Sequence, residues 1–260
     1  MLGLNRLQRW WTQRILRRER IPQSLWHEVV NSLPVLVPLT RREKRRLRKL
    51  SSLLLHEKNF VGAGGLELDE VMRVAIAAQA ALLVLNLGLA HYADWSDVIV
   101  YPDAFVVSRP TQDAAGVVHE SSHTLEGEAW GKGPVILSWA DVVEDNQPET
   151  HAVGSNVVLH EFAHKLDFLN GVANGMPPLP ADIQREEWTR SFSQAYADLY
   201  ERVKRNRGTA INPYAAESPA EFFAVATEVF FEDGERLYQR FPNVYKVLSL
   251  YYRQDPRGRG

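Results

Sequence analysis

The chain has 260 residues, 45% hydrophobic and 24% charged, enough apolar content for a sizeable core and too much for wholesale disorder. It contains no cysteine, which excludes disulfides, thiolate metal sites and cysteine nucleophiles together and fits a reducing compartment. The net charge of −2 conceals a split: residues 1–50 carry 13 Lys/Arg against 3 Asp/Glu, and the remaining 210 carry 17 against 29.

The basic arm comes first. Leu4, Leu7, Trp11 and Ile15 recur at helical spacing, with Arg6, Arg9, Arg14, Arg17 and Arg18 largely on other faces. Such a helix docks its apolar stripe on the body or makes weak peripheral contact with an anionic membrane. No continuous apolar run marks a secretory signal here. We expect residues 1–22 to be an arm on a single domain at 23–256. Thr40 with Glu43 forms a capping box that opens a helix toward Leu55. The basic run Arg41–Lys49 is expected to be a solvated face. Direct nucleic-acid binding is not expected, because the body is acidic and shows no helix-turn-helix or finger pattern.

Gly62 to Gly65 reads as a turn, with neither a preceding strand nor the Lys-Ser/Thr of a phosphate loop. A helix is expected from Leu68 to Leu89. The most apolar stretch, Val74 to Ala90, is at the short limit for a bilayer span and contains Gln79 and Asn86, so it reads as a buried core helix. A soluble, cytoplasmic protein is the expectation. Val98–Tyr101 and Phe105–Val107 read as strands about Pro102-Asp103, and Val135–Trp139 as another after Gly133-Pro134. Four helices should follow: from Ser155 or Asn156 to Asn170-Gly171, from Ile183 to Lys204, from Ser218-Pro219 to Asp233-Gly234, and from Tyr245 to Tyr251.

The first of these helices carries His160-Glu161-Phe162-Ala163-His164, an HExxH sequence. Residues i and i+4 share a helical face, so both imidazoles can converge on one Zn²⁺. Glu161 can then reach a metal-bound water and act as general base. The apolar neighbours Val157, Val158, Leu159, Phe162, Ala163 and Leu166 bury the motif, and buried polar groups need partners. The third ligand is left open by spacing. Asp167 and Asn170 stand where a metzincin has Gly and His, so that class fails. Asp167 can ligate or hydrogen-bond a ligand histidine, and the latter is preferred. Glu217, Glu221 and Glu228 remain; Glu221 and Glu228 share a face, but Ser218-x-x-Glu221 is itself a capping box. His119 and His123 have i, i+4 spacing but lie in a polar segment read as loop or strand, so a second metal there is not expected.

His160 to Asp167 with Asn170-Gly171, and Tyr214 to Val225 (YAAESPAEFFAV), resemble the signature of the Mlc titration factor A family of bacterial zinc peptidases. Tyr101–Val107, Gly127–Trp139, Arg240-Phe241-Pro242 and Gln254-Asp255-Pro256 extend the resemblance over about residues 60–256 and leave the arm outside it. The resemblance implies a gluzincin-like site similar to the catalytic domain of anthrax lethal factor, with one zinc on His160, His164 and Glu221 and with Glu161 as base. Tyr214 would donate to the oxyanion, and Glu228 would support a ligand from behind. It also implies aminopeptidase-type activity, substrate addition at an exposed strand edge, and binding of a transcriptional repressor of glucose phosphotransferase genes. The expected fold is α+β: a zincin-like domain, mainly helical with a small mixed sheet, plus N-terminal helical additions. The rival is a non-catalytic, regulator-sequestering protein with a structural or vestigial zinc site, against which the intact Glu161 counts.

Overall fold

The computed structural model describes residues 10, 12–103, 105–112, 118–125, 127–129, 133–147 and 154–259, with 105–112, 118–125 and 127–129 described by backbone alone. The elements run α1 (12–18), α2 (Gln23–Ser32), α3 (Arg41–Glu57), β1 (Asn59–Gly62), α4 (Glu70–Leu83), β2 (Asp97–Tyr101), β3 (Phe105–Gln112), β4 (Val118–Leu125), β5 (Gly127–Ala129) and β6 (Val135–Ser138). They continue as α5 (Trp139–Glu144), α6 (Val157–Asp167), α7 (Arg185–Lys204), α8 (Pro219–Glu232), α9 (Gly234–Arg240) and α10 (Pro242–Tyr252). The architecture is α+β and mainly helical.

One sheet has the order β1-β2-β6-β5. Its first three strands are parallel, with Val98 opposite Val135, and β5 pairs antiparallel to β6, with Ala129 opposite Val135. Val98, Val100, Val135 and Leu137 are fully buried, as a parallel sheet requires. β3 and β4 form a separate antiparallel hairpin.

The Thr40 box forms in both directions: Glu43 N–H donates to Thr40 Oγ1 and Thr40 N–H to Glu43 Oε2. α4 is buried at every position from Val74 to Leu83, the pattern of a helix apolar all round inside a core. It packs against α2, α3 and α6. Among the described residues no helix is long and apolar enough to cross a membrane. Behind α6, Phe162 meets Tyr92 and Trp95 edge-on. Trp188, Phe192, Phe223 and Tyr251 join α7, α8 and α10.

Several boundaries differ from expectation. A strand does precede the glycine cluster: β1 is four residues with only Phe60 buried, too short to show alternation. α4 starts at its Asp69 cap and ends at Leu83, and Asn86 leaves the helix to donate to Arg253 O. Trp139 is helical because Ser138 caps α5 by accepting from Asp141 N–H. β3 continues to Gln112, and His119 and His123 lie on β4, outside the residues whose side chains are described. The last helix begins at Pro242, which suits a first helical position, and α9 fills the gap that Asp233-Gly234 opened. α2 carried no signal that we read.

The arm meets α3. Ile21 is buried, its N–H donates to Ser52 Oγ at 3.1 Å, and Arg48 Nε donates to its carbonyl at 2.9 Å. Glu19 reaches His56. Leu4, Leu7, Arg6, Arg9 and Trp11 lie outside the described residues.

Candidate metal centre

α6 is fixed at its N-terminus before its histidines are reached. Asn156 Oδ1 accepts from Leu159 N–H at 2.9 Å, the ordinary capping contact. Its amide donates to the buried Gln79 Oε1 at 2.8 Å, and Asp145 Oδ2 accepts from Val157 N–H at 2.7 Å. Two polar groups buried in α4 and after α5 therefore set the position of the helix. At its other end α6 tightens into a 3₁₀ turn over Phe168–Asn170 and stops at Gly171, which takes the left-handed conformation.

α8 lies against α6. Ser218 Oγ accepts from Glu221 N–H at 3.1 Å, with Pro219 at the first helical position. The Glu221 carboxylate does not return to the cap. It turns to the histidines, with Oε2 3.0 Å from His160 Nε2 and 3.4 Å from His164 Nε2. The two Nε2 atoms are 3.1 Å apart. His160, His164 and Glu221 each offer one ligand atom, and those atoms all lie within 4.8 Å of one another.

Glu228, two turns along α8, places Oε1 2.7 Å from His160 Nδ1. This is the arrangement in which a carboxylate selects the tautomer of a metal-binding imidazole. Asp167, preferred for that role from sequence, does something else. Its Oδ2 accepts from Gly175 N–H at 2.7 Å and ties down the loop after α6, while its Oδ1 and His164 Nδ1 are both buried without a hydrogen-bond partner. Glu217 is exposed.

Glu161 is 2% exposed, and its Oε2 has no hydrogen-bond partner. Burial raises its pKa to about 8; His160 opposes the shift and Glu221 reinforces it. Burial would also raise Glu221, but the two imidazoles hold it well below the usual carboxylate range. Burial opposes the charge on His160, yet Glu221 and Glu228 on either side raise its pKa well above the ordinary value. Burial lowers His164. Asp145 rises to about 8, again mainly through burial, with Glu228 adding to it. Carboxylates thus crowd two buried imidazoles, an arrangement that a divalent cation suits. Two imidazoles and a carboxylate are the donor set of a catalytic zinc, and Glu221 Oε2 faces both Nε2 atoms.

Tyr214 sits in the 3₁₀ turn Pro213–Ala216, its ring centroid 6.0 Å from that of His160. The turn is held by Asn212 Oδ1 accepting from Tyr214 N–H and by Tyr196 OH donating to Ala216 O. Sequence reasoning missed Asp145, Gln79 and Gly175. Asp145 and Gln79 carry no motif, and their signal lies only in long-range contacts.

Residues 7–253 match the model of a family described as glucose-regulated metallo-peptidase M90. The match begins at residue 7, so it takes in most of the arm that the motif resemblance had left outside. The chain is 38% identical to the Mlc titration factor A proteins of Yersinia pestis and Yersinia pseudotuberculosis over 237 residues, 90% of this chain and 86% of each relative. It is 36% identical to the uncharacterized protein slr2042 of Synechocystis sp. over 248 residues, 95% of this chain and 89% of that one.

Proposed function

The chain belongs to the glucose-regulated metallopeptidase M90 family, and from that membership we propose that it is a zinc-dependent peptidase with a zincin-like, gluzincin-type site. His160, His164 and Glu221 would hold one zinc ion, and Glu228 would orient His160. When bound, the ion supplies Lewis acidity that polarises the scissile carbonyl and acidifies water. Glu161 takes a proton from the attacking water and hands it to the leaving amine. Tyr214 donates to the oxygen on which negative charge develops. The observation that carries this reading is the buried Glu161 carboxylate beside the His-His-Glu cluster, since a structural site has no use for a base.

β5 supports the substrate part of the reading. It ends the sheet, runs antiparallel to its neighbour, and α6 packs against it. An extended peptide adding to that edge lies alongside the helix that bears the base. Aminopeptidase-type specificity and a cytoplasmic location belong to the same proposal. So does binding of a transcriptional repressor of glucose phosphotransferase genes, which the motif resemblance implies; the Yersinia relatives are named Mlc titration factor A. The arm at 1–22 is taken as a docking element separate from the chemistry of 23–256.

Metal analysis with a peptide-library cleavage screen, with and without chelator, tests the proposal. The expected result is one zinc per chain and cleavage that chelator abolishes. Stoichiometric zinc with no cleavage of any peptide would favour the regulator-binding role.

A further inference from the structure

We propose that Lys165 is a positioning residue that registers the edge strand β5 against α6, and so sets where a peptide lies relative to Glu161. The proposal rests on the peptidase reading above. Lys165 follows His164 directly, stands one helical turn after Glu161, and is 2% exposed. An ammonium buried this fully needs hydrogen-bond acceptors. Lys165 Nζ donates to Gly133 O at 2.7 Å, in the connection between β5 and β6. It also lies 5.7 Å from the centroid of the Trp95 ring.

Trp95 is itself fixed. It packs edge-on against Phe162 of α6, with ring centroids 5.5 Å apart. Lys58 Nζ lies 4.3 Å from the same ring centroid and donates to the carbonyls of Tyr92 and Trp95. Trp95 beneath Lys165 is therefore held by Phe162 on one side and by Lys58 on another.

The need for such a tie lies in β5. The strand is three residues long and pairs only with β6 among the described residues. So short a ladder fixes its height above α6 weakly. A methionine would fill the Lys165 site as well and cost less to bury. What the ammonium adds is a charge-assisted bond from the helix that bears Glu161 to Gly133, two residues before Val135, the β6 residue opposite Ala129 of β5.

The test compares Lys165→Met and Lys165→Gln with the parent zinc-loaded protein on an extended peptide and on a single-residue aminoacyl anilide. Zinc content and hydrogen exchange at residues 127–129 are measured alongside. We expect KM for the extended peptide to rise about tenfold or more, with anilide hydrolysis within about twofold of the parent. Zinc content should be unchanged and exchange in β5 faster. Equal losses on both substrates, or unchanged exchange in both variants, would overturn the proposal. If the parent cleaves neither substrate, the peptidase reading fails, and the exchange comparison still decides whether Lys165 holds β5.

Discussion

Glu228 Oε1 lies 2.7 Å from His160 Nδ1, which leaves Nε2 of the same ring facing Glu221 and His164. A buried carboxylate on one nitrogen keeps the proton there and raises the basicity of the other. Glu228→Ala is expected to weaken zinc binding by about 10- to 100-fold. Glu228→Gln, which keeps an acceptor, should lose less. Competition against a chromophoric chelator measures both, and equal affinities for parent and Glu228→Ala would show the contact to be idle.

Tyr214 is 42% exposed, so replacing its hydroxyl leaves the core intact. In the proposed role of oxyanion donor it would act in the transition state and contribute little to ground-state binding. Tyr214→Phe should therefore lower kcat by about 100-fold with KM nearly unchanged. Steady-state kinetics decide; a change confined to KM would place the residue in substrate binding.

Asp145 gives a pH dependence whose sign can be worked out. Burial raises its pKa from 3.8 to about 8 in the folded protein, so the native state holds a proton that the unfolded chain releases above about pH 4. Stability is full below that value and is lost as pH rises toward 8, by at most about 1.4 kcal/mol per pH unit. Asp145→Asn keeps an acceptor for Val157 N–H and removes the titration. Its unfolding free energy, measured in chelator at pH 5 and pH 8, should fall less than that of the parent.

Gly175 joins the loop after α6 to the start of α8. Its φ is +76°, and a Cβ there would meet Pro219 O at 2.3 Å. Gly175→Ala must strain the loop or push away the turn that carries Glu221. A loss of at least about 2 kcal/mol is expected, with weaker zinc binding. Unchanged melting temperature and zinc affinity would show that the loop gives way without moving α8.

What was legible in the sequence was local. Thr40 with Glu43, Asn156 and Ser218-Pro219 mark helix starts through contacts three residues long, and those contacts form. HExxH places two imidazoles together by helical pitch alone. Spacing left Glu217, Glu221 and Glu228 nearly tied as third ligand, with Asp167 preferred behind a histidine, because the choice depends on how α8 packs against α6. The structure separates them: Glu221 faces both histidines, Glu228 meets His160 from behind, and Asp167 holds Gly175. β1 (Asn59-Phe60-Val61-Gly62) and β5 (Gly127-Glu128-Ala129) were unreadable because neither carries the apolar run, Val135-Ile136-Leu137, by which the equally short β6 was read.

The central claim is that Glu161 is the base of a metal-dependent peptidase, and Glu161→Gln tests it most directly when zinc content and peptide hydrolysis are measured on the same preparation. Gln keeps the shape and loses the proton acceptor. The account predicts parental zinc content with kcat reduced by about 100- to 10,000-fold. Hydrolysis at the parental rate by zinc-loaded Glu161→Gln protein would contradict it.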